Sequence, residues 1–194
     1  AAGNKVDAST RGGTTAFSTG GDTATIAVTS ANDAPTLDLN GSAGGTGYTA
    51  IFRPRGDAVA IVGADVSIGD VDALDSGTPD TISSATITLA SGALDNLFGT
   101  DYETLRSTAG TSFNRITISG NGTTEITLTG IASRATYEAA LRTIVYSNTN
   151  PNAFTGDRTI EISVRDTSVS TGNAADRLGS NVAPSPADVT MSVW

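Results

Sequence analysis

Asp70 and Asp72 are the two residues of this chain whose spacing is best suited to chemistry. They stand two positions apart, just after Gly69, in a stretch with the composition of a turn. Carboxylates at positions i and i+2 of a turn can point at one place, and hard oxygen ligands of this kind suit Ca²⁺, which binds about six to eight of them. Asp side chains also stabilise ordinary turns by hydrogen-bonding to nearby backbone, so a purely structural role stays open.

The two aspartates lie within a long acidic stretch. The chain has 20 acidic and 11 basic residues, a formal net charge of −9, and no basic residue between Arg55 and Arg106. Carboxylates at this density repel one another unless water or a cation separates them, so multivalent cations are natural partners. The alternative is a solvated acidic face, the usual role of a charge run. The acids of this stretch are Asp57, Asp65, Asp70, Asp72, Asp75, Asp80, Asp95, Asp101 and Glu103.

The composition argues against most other functions. The chain contains neither His nor Cys, so it can form no His-dependent triad, thiol nucleophile, disulfide or zinc site with soft ligands. A sugar-cleaving cleft would be expected to carry aromatic side chains, and Trp194 is the only Trp. Scarce Lys and Arg argue against nucleic acid, and no run of about 18 apolar residues could span a bilayer. We predict a non-enzyme with no nucleic-acid partner and no membrane insertion.

The elements that must position the carboxylates are strands. Several segments alternate Ile, Leu or Val with Thr, Ser or Glu, which is the period-two pattern of an antiparallel sheet with one buried and one solvated face. Turn sequences such as Ser119–Gly122 separate them. The predicted strands are Thr23–Thr29, Ala85–Leu89, Arg115–Ser119, Glu125–Thr129, Ile144–Ser147 and Arg158–Val164.

One segment departs from the strand pattern. The spacing of Tyr137, Leu141 and Ile144 predicts a short helix over residues 134–143, and Ser133 can cap its N-terminus. A single helix among many strands indicates a crossover at one end of a β-sandwich, since an α/β fold would alternate strands and helices. The predicted fold is an all-β antiparallel sandwich of about seven to nine strands.

The two ends of the sequence resemble each other. Val6–Thr10 is similar to Val164–Ser168, and Thr23–Val28 is similar to Ala187–Val193, at an offset of about 160 residues. A fixed offset of this kind is typical of tandem domains. The segment before Pro35 then reads as a linker, because Pro stiffens the chain and forbids helix before it. We expect residues 1–30 to be too few for a core of their own.

Several motifs, in this order along the chain, are similar to those of the cadherin-like repeats of large bacterial surface adhesins, many of which are exported by type I secretion. The resemblance covers about residues 23–166 and implies a cadherin/immunoglobulin-like β-sandwich at an extracellular location. The chain departs from the family at Arg55 and Gly56, near which members usually carry a Glu. The motifs are Thr25–Pro35, Gly56–Ile61, Ile68–Asp72, Ser84–Leu89, Leu128–Ser133, Tyr137–Leu141, Tyr146–Thr149 and Arg158–Asp166.

On this resemblance, residues 1–34 are the closing strand or strands of a preceding repeat plus a linker, and residues 35–194 are one cadherin-like repeat. The resemblance also implies that Ca²⁺ joins the linker to a loop of the sandwich and stiffens the array. Its ligands would come from the linker, the Asp-x-Asp loop and two strand ends, namely Asn32, Asp33, Asp57, Asp70, Asp72 and Asp166.

Three functions fit this prediction. The first is a non-catalytic extender module of a long adhesin, which adjoins neighbouring repeats and holds a distant binding tip away from the cell. The second is a subunit of a coat, sheath or fibre, in which Thr23–Thr29 adds a strand to another copy. The third is a module that binds a surface glycan, protein or peptide. The tripeptide Arg55–Asp57 has the sequence read by integrins, but such tripeptides arise by chance and Asp57 is also a candidate Ca²⁺ ligand.

Overall fold

The computed structural model describes residues 34–70, 81–91, 96–97, 100–167 and 187–193, together with short stretches among residues 9–26. Within these residues the chain forms fourteen strands and one helix. In chain order they are β1 (Thr36–Asp38), β2 (Tyr48–Phe52), β3 (Val59–Ala60), β4 (Ser67–Gly69), β5 (Thr81–Ser91), β6 (Asn96–Leu97), β7 (Thr100–Asp101), β8 (Glu103–Ser107), β9 (Ser112–Phe113), β10 (Ile116–Ser119), β11 (Glu125–Ser133), α1 (Arg134–Leu141), β12 (Ile144–Asn148), β13 (Gly156–Asp166) and β14 (Ala187–Val193).

The strands form two layers. One layer is a seven-stranded sheet in the order β2-β14-β13-β5-β11-β10-β9. The other contains a three-stranded sheet, β3-β12-β8, and the pair β1-β4, while β6 and β7 form a separate short hairpin. The alternation predicted from the sequence explains the pairing, because Ile160, Ile162 and Val164 of β13 are buried while Glu161 and Arg165 are exposed.

A hydrophobic core fills the space between the layers. Phe52 of the large sheet meets Tyr146 of the small sheet edge to face, with ring centroids 5.3 Å apart. Aliphatic residues from β5 and β11 belong to the same core, among them Ile87 and Leu128, which are fully buried. The predicted all-β, sandwich-like fold is confirmed.

One strand pair departs from the predicted antiparallel arrangement. β2 lies parallel to β14, with Tyr48 opposite Val189 and Phe52 opposite Val193, whereas the other described pairs are antiparallel. Alternation of apolar and polar residues fixes which face of a strand is buried, but it is the same in either direction of pairing. The sequence pattern therefore could not distinguish a parallel edge strand from an antiparallel one.

The predicted helix is present and slightly shorter than expected, Arg134–Leu141 instead of 134–143. Ser133 caps it as predicted, because its hydroxyl accepts a hydrogen bond from the Thr136 N–H at 3.2 Å. Tyr137 lies on the buried face, and its hydroxyl donates to the Gly130 carbonyl at 2.7 Å. The helix ends where the Thr143 hydroxyl donates to the Ala140 carbonyl, 2.7 Å away.

The N-terminal predictions fall mostly outside the described residues. The predicted strand Thr23–Thr29 is not formed at residues 23–26, where Ile26 is 85 % exposed, and residues 27–29 are outside the described part. The expectations that residues 1–34 close a preceding repeat and form a linker thus stay predictions. The C-terminal counterpart of that segment, Ala187–Val193, is strand β14.

Candidate metal site

The two ends of β13 define the two ends of the sandwich. We call them the Gly156 end and the Asp166 end, after the first and last residues of the strand. An extended strand rises about 3.3 Å per residue, so these ends lie about 33 Å apart. The six predicted ligands can be placed relative to them.

Asp166 lies at the Asp166 end with only 1 % of its surface exposed. It pairs with Ile82 at the start of β5, and its carbonyl accepts a hydrogen bond from the Ser83 hydroxyl at 2.8 Å. The next residue, Thr167, donates its N–H to the Thr81 carbonyl at 2.8 Å. The start of β5 and the end of β13 are thus fixed together, which holds the Asp166 backbone in place.

Asp70 lies at the same end, next to the point where the chain enters the sandwich. It follows β4, and because Thr36 pairs with Gly69 in the antiparallel β1–β4 pair, Asp70 stands beside Pro35. Its side chain is partly buried.

Helix α1 ties β4 to the Asp166 end. The Ile68 N–H donates to the Glu138 carboxylate on α1 at 2.9 Å. The N-cap of that helix, Ser133, pairs with Thr81, which is the first residue of β5. These links place the end of β4 and the end of β13 at one end of the sandwich.

Asn32, Asp33 and Asp72 lie outside the described residues, so their side chains are not placed. In the sequence, Asp72 is two residues after Asp70 and Asp33 is two residues before Pro35.

Asp57 does not belong to this group. It lies in the connection between β2 and β3. The last residue of β2, Phe52, pairs with Val193, which in turn pairs with Gly156, so β2 ends at the Gly156 end. Its side chain is exposed. The five residues from Phe52 to Asp57 span at most about 18 Å. This is less than the length of the sandwich, so Asp57 cannot reach Asp166. Within one chain Asp57 therefore does not meet Asp166, because β2 ends at the Gly156 end. The set of Ca²⁺ ligands as a whole stays a prediction.

Two acids of the acidic stretch are held by other residues of the chain. Asp65 accepts hydrogen bonds from the Ser42 N–H at 3.0 Å and from the Ser42 hydroxyl at 2.7 Å. These two hydrogen bonds favour the ionised carboxylate and hold the pKa of Asp65 below its usual value. Glu103, from the other end of the stretch, is buried.

Glu103 belongs to a buried polar cluster that the sequence analysis missed. Its Oε1 atom lies 2.6 Å from Nε of Arg158 and accepts a hydrogen bond from the Tyr146 hydroxyl at 2.5 Å. The remaining Arg158 nitrogens donate to the carbonyls of Gly156 and Phe154, each at 2.9 Å. A signal was present, because Arg158 is in phase with the inward-facing residues of β13 and so occupies a core position of its strand.

One tyrosine of this cluster, Tyr146, has a raised pKa, and burial is the main cause. It raises the pKa of Tyr146 well above its ordinary value, and the hydrogen bond to the Glu103 carboxylate raises the pKa further. The same effect of burial raises the pKa of Tyr137. Both phenols therefore stay protonated over the physiological range. The cluster is satisfied internally, which indicates a structural role.

The oxygen donors at the Asp166 end would fit a hard cation such as Ca²⁺ and would not fit a soft metal. Among the described residues, no group of three or more acidic side chains could hold a metal ion. Asp70 and Asp166 alone are too few ligands for Ca²⁺. A complete site would need oxygens from Asn32, Asp33 or Asp72.

Comparison with known proteins gives no assignment. No protein-family model matches the chain. No curated protein and no solved structure matches it either. In the described part of the chain, no helix is both long enough and apolar enough to cross a membrane. The resemblance to cadherin-like repeats therefore remains a prediction from motifs.

Proposed function

We propose that this chain is a non-catalytic structural module of a long bacterial surface protein, in which Ca²⁺ bound at the Asp166 end stiffens the connection to the preceding segment. One observation carries the proposal. The register of β1 and β4 puts Asp70 beside Pro35, where the chain enters the sandwich, at the same end as Asp166.

A cation at that position would couple the segment that precedes Pro35 to the sandwich. Oxygens of Asn32 and Asp33 would come from the incoming segment, and those of Asp70, Asp72 and Asp166 from the sandwich. The cation would also offset repulsion among these carboxylates, which is the main electrostatic cost of gathering them. A rigid junction of this kind suits a protein that holds a distant part away from the cell.

Asp57 lies outside this site. It follows β2, whose last residue Phe52 is at the Gly156 end, so it is too far from Asp166 to share a cation with it in the same chain. The isolated chain should therefore bind Ca²⁺ without help from Asp57.

The test is the effect of Ca²⁺ on the melting temperature of the purified chain. A ligand that binds only the folded state stabilises it by about 2.7 kcal/mol at 100 times its Kd. Asp70→Asn and Asp166→Asn should each reduce the Ca²⁺-dependent rise, whereas Asp57→Asn, the same chemical change at the other end, should leave it intact. Mg²⁺ should replace Ca²⁺ poorly, since it is smaller and demands octahedral geometry.

Two results would contradict the proposal. Identical melting curves in chelator and in millimolar Ca²⁺ would remove the metal site. A rise that NaCl of equal ionic strength reproduces would indicate general screening of the acidic chain instead of a site.

A second candidate function, an assembling subunit, is favoured by the open edge of β2. Among the described strands, β2 has a partner on one side only, and its outward residue Ile51 is 54 % exposed. The alternating segment that begins at Thr23 carries the exposed Ile26 and could add to that edge in a second copy. Sedimentation would then show concentration-dependent oligomers that Ile26→Lys and Ile51→Lys each abolish, and a monomer at all concentrations would eliminate this function.

A further inference from the structure

The connection between β2 and β3 contains a tight turn whose backbone is strained. The Gly56 N–H donates to the Arg53 carbonyl at 2.8 Å and closes a four-residue turn with Pro54 in its second position. The third position is Arg55, with φ of +65°. Glycine or Asn normally occupies this left-handed conformation, because other side chains clash with the backbone there. A strained non-glycine residue at the tip of a turn is characteristic of functional sites.

The position after Arg55 also requires one particular residue type. A Cβ atom at Gly56 would lie 2.8 Å from the Arg53 carbonyl oxygen, so only glycine fits this turn without a backbone shift. Arg55 and Asp57 on either side are exposed. Within the described part of the chain, neither side chain takes part in a hydrogen bond or an ion pair. The turn thus presents a guanidinium and a carboxylate, one residue apart, to solvent.

The turn is held firmly at both ends. Phe52 before it is fully buried and packs on Tyr146. Val59 after it pairs with Tyr146 in the other layer. Both flanks are therefore anchored to one core residue, and the loop needs little further ordering to be bound. Preorganisation of this kind lowers the entropic cost of recognition.

Asp57 is also separate from the candidate metal site. Its position near the Gly156 end removes it from the carboxylates that would bind Ca²⁺ in the same chain. The main objection to a recognition role for the tripeptide, that its carboxylate serves as an intramolecular Ca²⁺ ligand, does not hold in this structure.

We propose that the turn Arg55–Gly56–Asp57 is a docking site for an integrin-type adhesion receptor. Such a receptor offers a carboxylate to the guanidinium and a bound divalent cation to the Asp carboxylate, which complements the two charges displayed here. A purely acidic partner is less well matched, because Asp57 would repel it. This proposal does not rest on Ca²⁺ binding at the Asp166 end, so the two can fail independently.

The experiment measures binding of the purified chain to the immobilised ectodomain of a vitronectin-type integrin in millimolar Mn²⁺. Asp57→Glu keeps the charge but moves the carboxylate by one methylene, and should weaken binding at least about 30-fold, as expected for a dominant contact. Asp157→Glu makes the same change at an exposed carboxylate near the same end and should leave binding unchanged. A soluble cyclic Arg-Gly-Asp peptide should compete with the wild-type chain.

Arg55→Gly separates recognition from folding. It removes the guanidinium and also relieves the strain at φ +65°, so the variant should melt no lower than the wild type while losing binding. Absence of wild-type binding, or equal binding by Asp57→Glu, would overturn the proposal. Binding that depends on Arg53 and Arg55 but not on Asp57 would overturn it as well, since it would identify an acidic partner instead.

Discussion

Arg158 of β13 and Glu103 of β8 form a buried ion pair that joins the two layers of the sandwich. Their Nε and Oε1 atoms are 2.6 Å apart, and the side chains are 0 % and 3 % exposed. Arg158 also donates to the carbonyls of Phe154 and Gly156, so the pair fixes the loop that precedes β13. Charges buried this completely are tolerated only when paired and hydrogen-bonded.

Removing one partner should therefore be far more damaging than removing both. Arg158→Leu leaves the Glu103 carboxylate buried without its counter-ion and should lower the free energy of unfolding by about 3–5 kcal/mol. Glu103→Leu with Arg158→Leu should cost clearly less than the sum of the single changes, which urea unfolding of the four proteins would show. Arg165→Leu, on the same strand but exposed, should change stability by no more than about 0.5 kcal/mol. Additive single effects would contradict a coupled pair.

A second prediction concerns Gly130, at an irregularity in β11. Its φ is +137°, and a Cβ atom there would lie 2.4 Å from the Arg115 carbonyl oxygen. Gly130→Ala should combine backbone strain with a collision and cost about 2 kcal/mol or more. Gly110 is the matched control, because it also has positive φ (+84°) but nothing within 4 Å of an added Cβ, so Gly110→Ala should cost only about 1–2 kcal/mol. Equal melting temperatures of the two variants would contradict the prediction, because they would mean that the backbone moves to avoid the contact with the Arg115 carbonyl.

The strands with a clear period and the helix could be predicted, and the reason lies in their length. β5, β11 and β13 are each nine or more residues long, so their alternation is repeated often enough to be recognised. The helix carried a capping residue as well as its spacing. By contrast, β3, β6, β7 and β9 have two residues each, too few to show any period.

The candidate site was harder to predict because it depends on strand direction. Asp57 and Asp70 are close in sequence, yet they lie at opposite ends of the sandwich because the chain from Val59 to Gly69 runs along its length. The buried pair was missed for a related reason. Arg158 was assigned to a strand by its neighbours, but its partner Glu103 lies on a different strand, and no local pattern links the two.

The last prediction follows from the two buried tyrosines. Burial raises the pKa of Tyr137 and Tyr146 in the folded state, and the Glu103 carboxylate adds to the effect at Tyr146. In the unfolded chain a Tyr titrates near about 10. Below that pH both states keep the proton and the stabilisation is fully present. Above it the unfolded chain releases protons that the folded chain retains, so stability falls as pH rises.

The free energy of unfolding should fall by about 1.36 kcal/mol per pH unit for each Tyr, or by about 2.7 kcal/mol per pH unit for the two together. Urea unfolding at a series of pH values above about 10 would measure it. Tyr137→Phe and Tyr146→Phe should each halve the slope, because each removes one of the two protons released on unfolding. Below about pH 9 neither change should alter the dependence of stability on pH, since a Tyr is protonated there in both states. Tyr146→Phe should be the more destabilising at neutral pH, because its hydroxyl donates to a carboxylate while that of Tyr137 donates to a neutral carbonyl. An alkaline slope that survives both substitutions would mean that other groups cause the loss.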